Sequence, residues 1–480
     1  TLPNTQGNED IEVKYTEDGK VYTTIIEGVV VNKDVVNIVG LDHFSIYYVA
    51  NHVLSAKPVP IEADTIPTWC NITISEGQSI QEAIVNYAEK NATICIKPGV
   101  YEGNLIINHP VKLIALLNDS SKEGVVIIGA NEENPTIHIL NTKNITIDGF
   151  TFQGANGSYG AIHIENSNNC TIQNNVFLKN SLDIFTDHGS QHTITNNKFN
   201  GGKGDNRLAI KGNSTENSLM NNAFSNYSTA IAIGEKHKIY NNQFVNNTIQ
   251  IETGTNTEII EDYLSKNTFD RAVVVRKNPI TVGKIFSRIQ DAIDASEGGN
   301  TIQVLSGTYK EIVNINKSLS LVGVKENPPT ILGRFEINTS GRVNIKNMNF
   351  QVPVPVANPV GNSADSININ KVGELYVDNC NFNGSELFLN GGRGIISNDS
   401  QSNVTIENST FSNGYYTAIQ GKYKELNIKD TTISNCKSGI NFQGGNNLTV
   451  TNTNISVVAK GNSNDTYAVR FASTDVGSGV

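Results

Sequence analysis

Charge is the first thing in short supply. Of 480 residues, 36 are Lys or Arg and 46 are Asp or Glu, 17% in all, where a typical domain carries about 25%. The balance is acidic, 36 − 46 = −10. That weighs against nucleic acid as a partner, because phosphate contacts need clustered cations. Long apolar runs are also lacking: none approaches the ~18 residues that a spanning helix needs, so no membrane span is expected. Trp occurs once and Met twice. The five cysteines, Cys70, Cys95, Cys170, Cys380 and Cys436, show no Cys-x-x-Cys spacing. Neither a zinc site nor a disulfide framework is indicated. They read as buried thiols, with one disulfide open and Cys70–Cys95 the nearest pair in sequence.

Asparagine is present in excess and outnumbers even glycine, which occurs 41 times. Asn is a poor helix former that favours turns and left-handed positions, which excludes an all-α fold. Disorder is excluded by abundant, regularly spaced Ile and Val.

A short phrase recurs: an alternating β-branched strand, a polar pair, then an aromatic residue. It reads Cys170-Thr171-Ile172-Gln173-Asn174-Asn175-Val176-Phe177 and returns as His192-Thr193-Ile194-Thr195-Asn196-Asn197-Lys198-Phe199. The closing aromatic recurs at Phe152, Phe177, Phe199, Phe224, Phe244 and Phe269, and the pattern continues at Phe350, Phe382, Phe411, Ile433 and Ile455. The shorter steps, about 22 residues, suit one coil of three short strands and three turns, the longer steps carrying a loop at one corner. Alternation aims every second side chain inward. A single coil cannot bury that face, and stacked coils can. Asn at one turn in every coil can adopt the left-handed conformation and form amide ladders. Ile145, Ile147, Ile172, Ile194, Phe177 and Phe199 are expected inside.

A second, much longer periodicity carries Ile80 to Ile289 and Tyr101 to Tyr309. Ser79-Ile80-Gln81-Glu82-Ala83-Ile84 with Ile94-Cys95-Ile96-Lys97-Pro98-Gly99-Val100-Tyr101 matches Arg288-Ile289-Gln290-Asp291-Ala292-Ile293 with Ile302-Gln303-Val304-Leu305-Ser306-Gly307-Thr308-Tyr309. Each copy opens on an amphipathic helix, expected near 79–89 and 284–295, that reads as a cap on an exposed coil end. Two modules follow, 74–279 and 280–480. Residues 1–73 differ: Glu12–Thr16 and Val21–Ile26 flank Glu17-Asp18-Gly19-Lys20, a hairpin signal. Apolar strands at Val29–Val31, Val35–Val39 and Phe44–Val49 precede a proline-punctuated linker at Pro58, Pro60 and Pro67. This stretch reads as a small β-rich segment.

Over most of its length the chain resembles the right-handed parallel β-helix, pectin-lyase-like superfamily. The resemblance implies an all-β fold of two tandem solenoids. It specifies fold well and function poorly. Several relatives cleave acidic polysaccharides, holding calcium with clustered carboxylates and using Arg or Lys as base. Asp183, Asp187, His188 and His192, with Arg207 and Lys211, superficially resemble that arrangement without forming a dense acidic cluster. The Arg-x-Pro phrase of those lyases is absent. So are the Asp-Asp and Gly-His-Gly phrases of polygalacturonases. The Gln-Asp pair of pectin methylesterases occurs as Gln290-Asp291, but on an expected cap helix. Tyr15, Tyr47, Tyr48, Tyr415 and Tyr416 are candidates for stacking on sugars. No catalytic residue, cofactor or metal site is assigned.

Numerous Asn-x-Ser/Thr sequons, including Asn71, Asn118, Asn144, Asn213, Asn338, Asn403 and Asn454, fit a secreted glycoprotein, although an Asn-rich, Thr-rich chain generates some by composition. The chain opens on Thr1; read as a mature protein after signal-peptide removal, it belongs outside the cell or on its surface. The expected function is a structural or adhesive β-helix glycoprotein of the envelope, similar to adhesin-like β-helix proteins of bacteria and archaea. Its partner is itself, head to tail, as a filament, sheath or surface layer, with polysaccharide a further candidate partner. The alternative is a secreted lyase or hydrolase of acidic polysaccharide.

Overall fold

The computed structural model describes residues 67–472, apart from 89–90, 117–123, 130, 203–205, 235, 254–256, 278–279, 353–364, 385–391 and 459–465, together with five strands within 2–38. The chain divides into two compact units, Thr1–Pro60 and Ile61–Val480. In the first unit, Tyr15–Glu17 pairs antiparallel with Lys20–Tyr22 across the expected turn. Leu2–Pro3, Val35–Ile38 and Val29–Asn32 form a small antiparallel sheet. Phe44–Val49 lies outside the described residues.

The second unit is a parallel β-solenoid whose coils each contribute one strand to each of three sheets. Two eight-stranded sheets start at Ile72–Ile74 and Gly99–Glu102, and two seven-stranded sheets start at Thr308–Tyr309 and Ile312–Ile315. The repeated phrase explains the register. Phe152, Phe177, Phe199, Phe224, Phe244 and Phe269 stack inside with ring centroids 4.7–5.1 Å apart, the separation of adjacent strands. Phe350, Phe382 and Phe411 form a second stack. Ile145, Ile147, Ile172, Ile194, Phe177 and Phe199 are all buried, as the alternation requires.

The two asparagines of each phrase do different work. The first adopts φ near +56°, as at Asn174, Asn196, Asn221 and Asn241, a conformation that Asn tolerates better than most residues. The second points inward. Oδ1 of Asn197 accepts from the main-chain N–H of Asn175, and Asn222 and Asn242 repeat the bond one coil further on. Each Nδ2 donates to the main chain of the preceding coil, Asn197 to Ile172 O and Asn222 to Ile194 O. The turn's N–H groups, cut off from water, are thereby satisfied.

One sheet of sixteen strands runs through both stacks. At its middle, Ile249–Glu252 pairs antiparallel with Ile280–Phe286, which pairs antiparallel with Val273–Lys277, and that strand pairs antiparallel with Thr301–Val304. Three reversals invert the strand direction. Coils continuing along the same axis with the same hand must then enclose the other face of the sheet. The cores obey this: Ile251, Val274 and Ile285 belong to the first, and Val273, Val275, Phe286, Ile302 and Val304 to the second.

Helices Ile80–Asn86 and Ile289–Asp294 fall within the predicted stretches but are shorter, since residues 284–286, expected helical, close the strand Ile280–Phe286; they bury Ile80, Ala83 and Ile84, and Ile289, Ala292 and Ile293. The repeated glutamine has a physical role. Gln81 Oε1 accepts from Ile106 N at 2.7 Å and its Nε2 donates to Ile106 O at 3.2 Å. Gln290 does the same to Asn314, at 2.6 and 3.4 Å. A side-chain amide thus pairs with the edge strand as another strand would. A third helix, Thr257–Lys266, lies within the step from Phe244 to Phe269 and was not foreseen. Cys70 and Cys95 form a disulfide, and Cys170, Cys380 and Cys436 are buried thiols.

Candidate functional site

The outer face of the sixteen-stranded sheet carries a row of rings. Ile137, Ile139, Ile162 and Ile164 point into the core, so the residues between them point out. Ile106, His138, His163, Phe185 and Lys211 stand at one register across five successive strands. His163 is sandwiched between His138 and Phe185, with centroids 4.9 and 4.8 Å away and each pair of planes within 6° of parallel. Tyr159 leans over it at 5.3 Å, and Lys211 Nζ lies 5.5 Å from the Phe185 centroid. One register further, Glu165 and Asp187 are neighbours. His138 Nε2 and Glu165 Oε2 are 2.8 Å apart.

His163 is only 3% exposed, and its Nε2 is buried with no hydrogen-bond partner. Burial first, then the adjacent His138, lower its pKa below the usual histidine value; Glu165 and Asp187 oppose the shift. Neutral imidazole is a ligand. His138, His163 and Glu165 each offer a donor atom, all within 4.8 Å of one another. Two imidazoles and a carboxylate are a donor set that suits first-row divalent ions. The sequence reading missed this group. A signal existed: Ile137-His138-Ile139 returns as Ile162-His163-Ile164, one coil later.

The residues singled out from sequence do not converge. Asp183 is fully buried, accepting from Tyr227 Oη and Asn180 Nδ2. Desolvation raises its pKa to about 7, against the Tyr227, Asn180 and Arg207 contributions. His192 is also interior, its Nδ1 accepting from Cys170 N at 3.3 Å. His188 is exposed and pairs with Asp187 at 2.9 Å. Arg207 donates to Gly201 O. Lys211 belongs to the ring row. Gln290 is engaged with Asn314, and Asp291 pairs with Arg288 at 3.6 Å. Tyr415 is buried and bonded to Ser366, whereas Tyr416 is half-buried beneath Lys437. Tyr15 stands on a strand of the first unit, and Tyr47 and Tyr48 lie outside the described residues.

Of the named sequons, Asn71, Asn144, Asn213, Asn338 and Asn454 are exposed and Asn403 is half-buried. Asn118 lies outside the described residues. Asn71, Asn144 and Asn213 use Oδ1 as acceptor, from Thr93 N, Asn169 Nδ2 and His188 N.

Residues 65–284 match the family model described as periplasmic copper-binding protein (NosD), and residues 335–473 match the right handed beta helix region. No curated protein matches the chain. Solved structures with similarity include the catalytic domain of a GH87 alpha-1,3-glucanase in complex with nigerose, 12% identical, covering 85% of this chain and 69% of that one at a TM-score of 0.27. The PL6 family alginate lyase AlyGC is 12% identical, covering 80% and 88% at 0.27. The A-module of the Azotobacter vinelandii mannuronan C-5 epimerase AlgE4 is 12% identical, covering 82% and 94% at 0.24. At these scores the likeness says nothing of activity. The chain has the right-handed parallel β-helix, pectin-lyase-like fold.

Proposed function

We propose that this right-handed parallel β-helix protein is a structural, adhesive component of the cell envelope, exported and self-associating, rather than a polysaccharide-cleaving enzyme. One observation carries the reading. The acid–base groups most like a catalytic set, Asp183 and His192, are buried as hydrogen-bonding parts of the solenoid. The architecture employs them as braces between coils. The Cys70–Cys95 disulfide favours an oxidising compartment, and the exposed sequon asparagines favour a glycosylated surface. Periplasmic location, stated for NosD, is in keeping with export. No helix among the described residues is long and apolar enough to cross a membrane.

In this reading 74–279 and 280–480 are two modules, each opened by its helix. The N-terminal β-rich segment, read from sequence as 1–73 although Cys70 and Ile72–Ile74 belong to the first stack, docks on a neighbouring copy by strand addition through its residues up to Pro60. Such head-to-tail contacts do not close and produce filaments or layers. The test is deletion of residues 1–60. Full-length protein should form polymers in sedimentation and electron microscopy, and the deleted protein should stay monomeric with an unchanged β circular dichroism spectrum. Assembly that survives the deletion, or full-length protein that is monomeric at high concentration, overturns the proposal.

A further inference from the structure

We propose that His138, His163 and Glu165 form a binding site for a first-row divalent cation on the outer face of the solenoid, independent of the envelope role. Three observations converge. The three side chains are held on adjacent parallel strands, at the same register for the histidines and two residues on for the carboxylate. Their donor atoms lie within 4.8 Å of one another. Finally, His163 is nearly fully buried with Nε2 lacking any partner. An orphaned buried nitrogen is costly, about 1–3 kcal/mol, and a metal ion is one ligand that satisfies an imidazole lone pair.

The stacking defines how the site closes. Parallel rings direct their in-plane lone pairs along parallel planes, so one ion between them requires one ring to turn. His163 is clamped between His138 and Phe185, with Tyr159 leaning over it. On its other side His138 stands beside Ile106 at the same register, and Ile106 is half exposed. His138 is therefore the ring that turns, exchanging its contact with Glu165 for the ion while Glu165 becomes the third ligand. Glu165 and Asp187 contribute negative charge that favours a cation. Imidazole nitrogen with carboxylate oxygen selects zinc, cobalt or nickel over magnesium and calcium, which prefer all-oxygen sites. Coordination positions left open by three protein ligands go to water or to a donor on a partner.

The test is calorimetric titration of full-length, chelator-stripped protein with Zn²⁺, paired with Co²⁺ titration followed by visible absorption. The expected result is one ion per chain, with a Co²⁺ spectrum showing nitrogen–oxygen ligation. His163→Gln and His138→Gln should each weaken binding by about 100-fold or more, beyond what loss of a supporting group produces. His188→Gln, at an exposed histidine of the same sheet, should leave affinity unchanged. Glu165→Gln, at a half-exposed position, keeps the test decisive should His163→Gln not fold. No binding, or binding that survives the His138 and Glu165 substitutions, overturns the site. So does equal loss in His188→Gln.

Discussion

The main-chain N–H of Asn197 and its side-chain Nδ2 both donate to Oδ1 of Asn222, at 2.9 and 3.1 Å. Asn222 in turn donates to Ile194 O and to Oδ1 of Asn242. One side chain thus joins three coils. Asn222→Leu keeps the branched shape but leaves two buried donors and one carbonyl without partners. The expected loss is about 3–5 kcal/mol, read from the urea midpoint.

The preceding residue answers differently. Asn221 has φ +57° and is exposed. Asn221→Gly should change stability by less than about 1 kcal/mol, while Asn221→Val should lower it by about 1–2 kcal/mol. Equal effects from Gly and Val would contradict the assigned roles of the two asparagines.

The Cys70–Cys95 disulfide ties the entrance of the first stack across a sequence separation of 25. Closing such a loop restricts the unfolded chain by roughly 3 kcal/mol in the entropy account. Reduction should lower the first unfolding transition, and Cys70→Ser with Cys95→Ser should reproduce the shift without reductant. An unchanged melt on reduction would count against the bridge.

Two buried histidines of the first stack resist protonation in acid, while Asp183, its pKa raised to about 7, takes up a proton over the same range and works the other way. Burial lowers the pKa values of His192 and His237 to about 4, against an unfolded value near 6.5. The unfolded chain therefore binds protons that the native chain refuses. Their contribution is intact above pH 6.5 and lost progressively as pH falls from about 6.5 to about 4, by at most about 3 kcal/mol each. Denaturant midpoints across that range check the slope. His192→Gln with His237→Gln should remove the acid-side loss and leave the opposite slope of Asp183, so the double variant gains stability relative to wild type as pH falls from about 6.5 to about 4.

The coil and its inward face were legible because alternation and a recurring Asn-Asn-x-Phe phrase express one physical demand, burial by stacking. The helices at 80–86 and 289–294 were legible from apolar spacing, but the function of Gln81 and Gln290 needed the edge strand they meet. The antiparallel junction was not legible. Val273, Val274 and Val275 form an unbroken apolar run with both faces buried, and periodicity cannot say which core each side serves. The ring row escaped because single histidines one coil apart look unrelated until the register aligns them. Asp183, whose likeness to a lyase carboxylate is superficial in the sequence, faces the interior.

The central claim is that this solenoid builds and adheres rather than cleaves. The most direct measurement incubates full-length protein with acidic polysaccharides and follows reducing ends and the ultraviolet absorbance of unsaturated products. The account predicts neither signal, under conditions where the same preparation polymerises. Depolymerisation that Glu165→Gln or Asp187→Asn abolishes would contradict it.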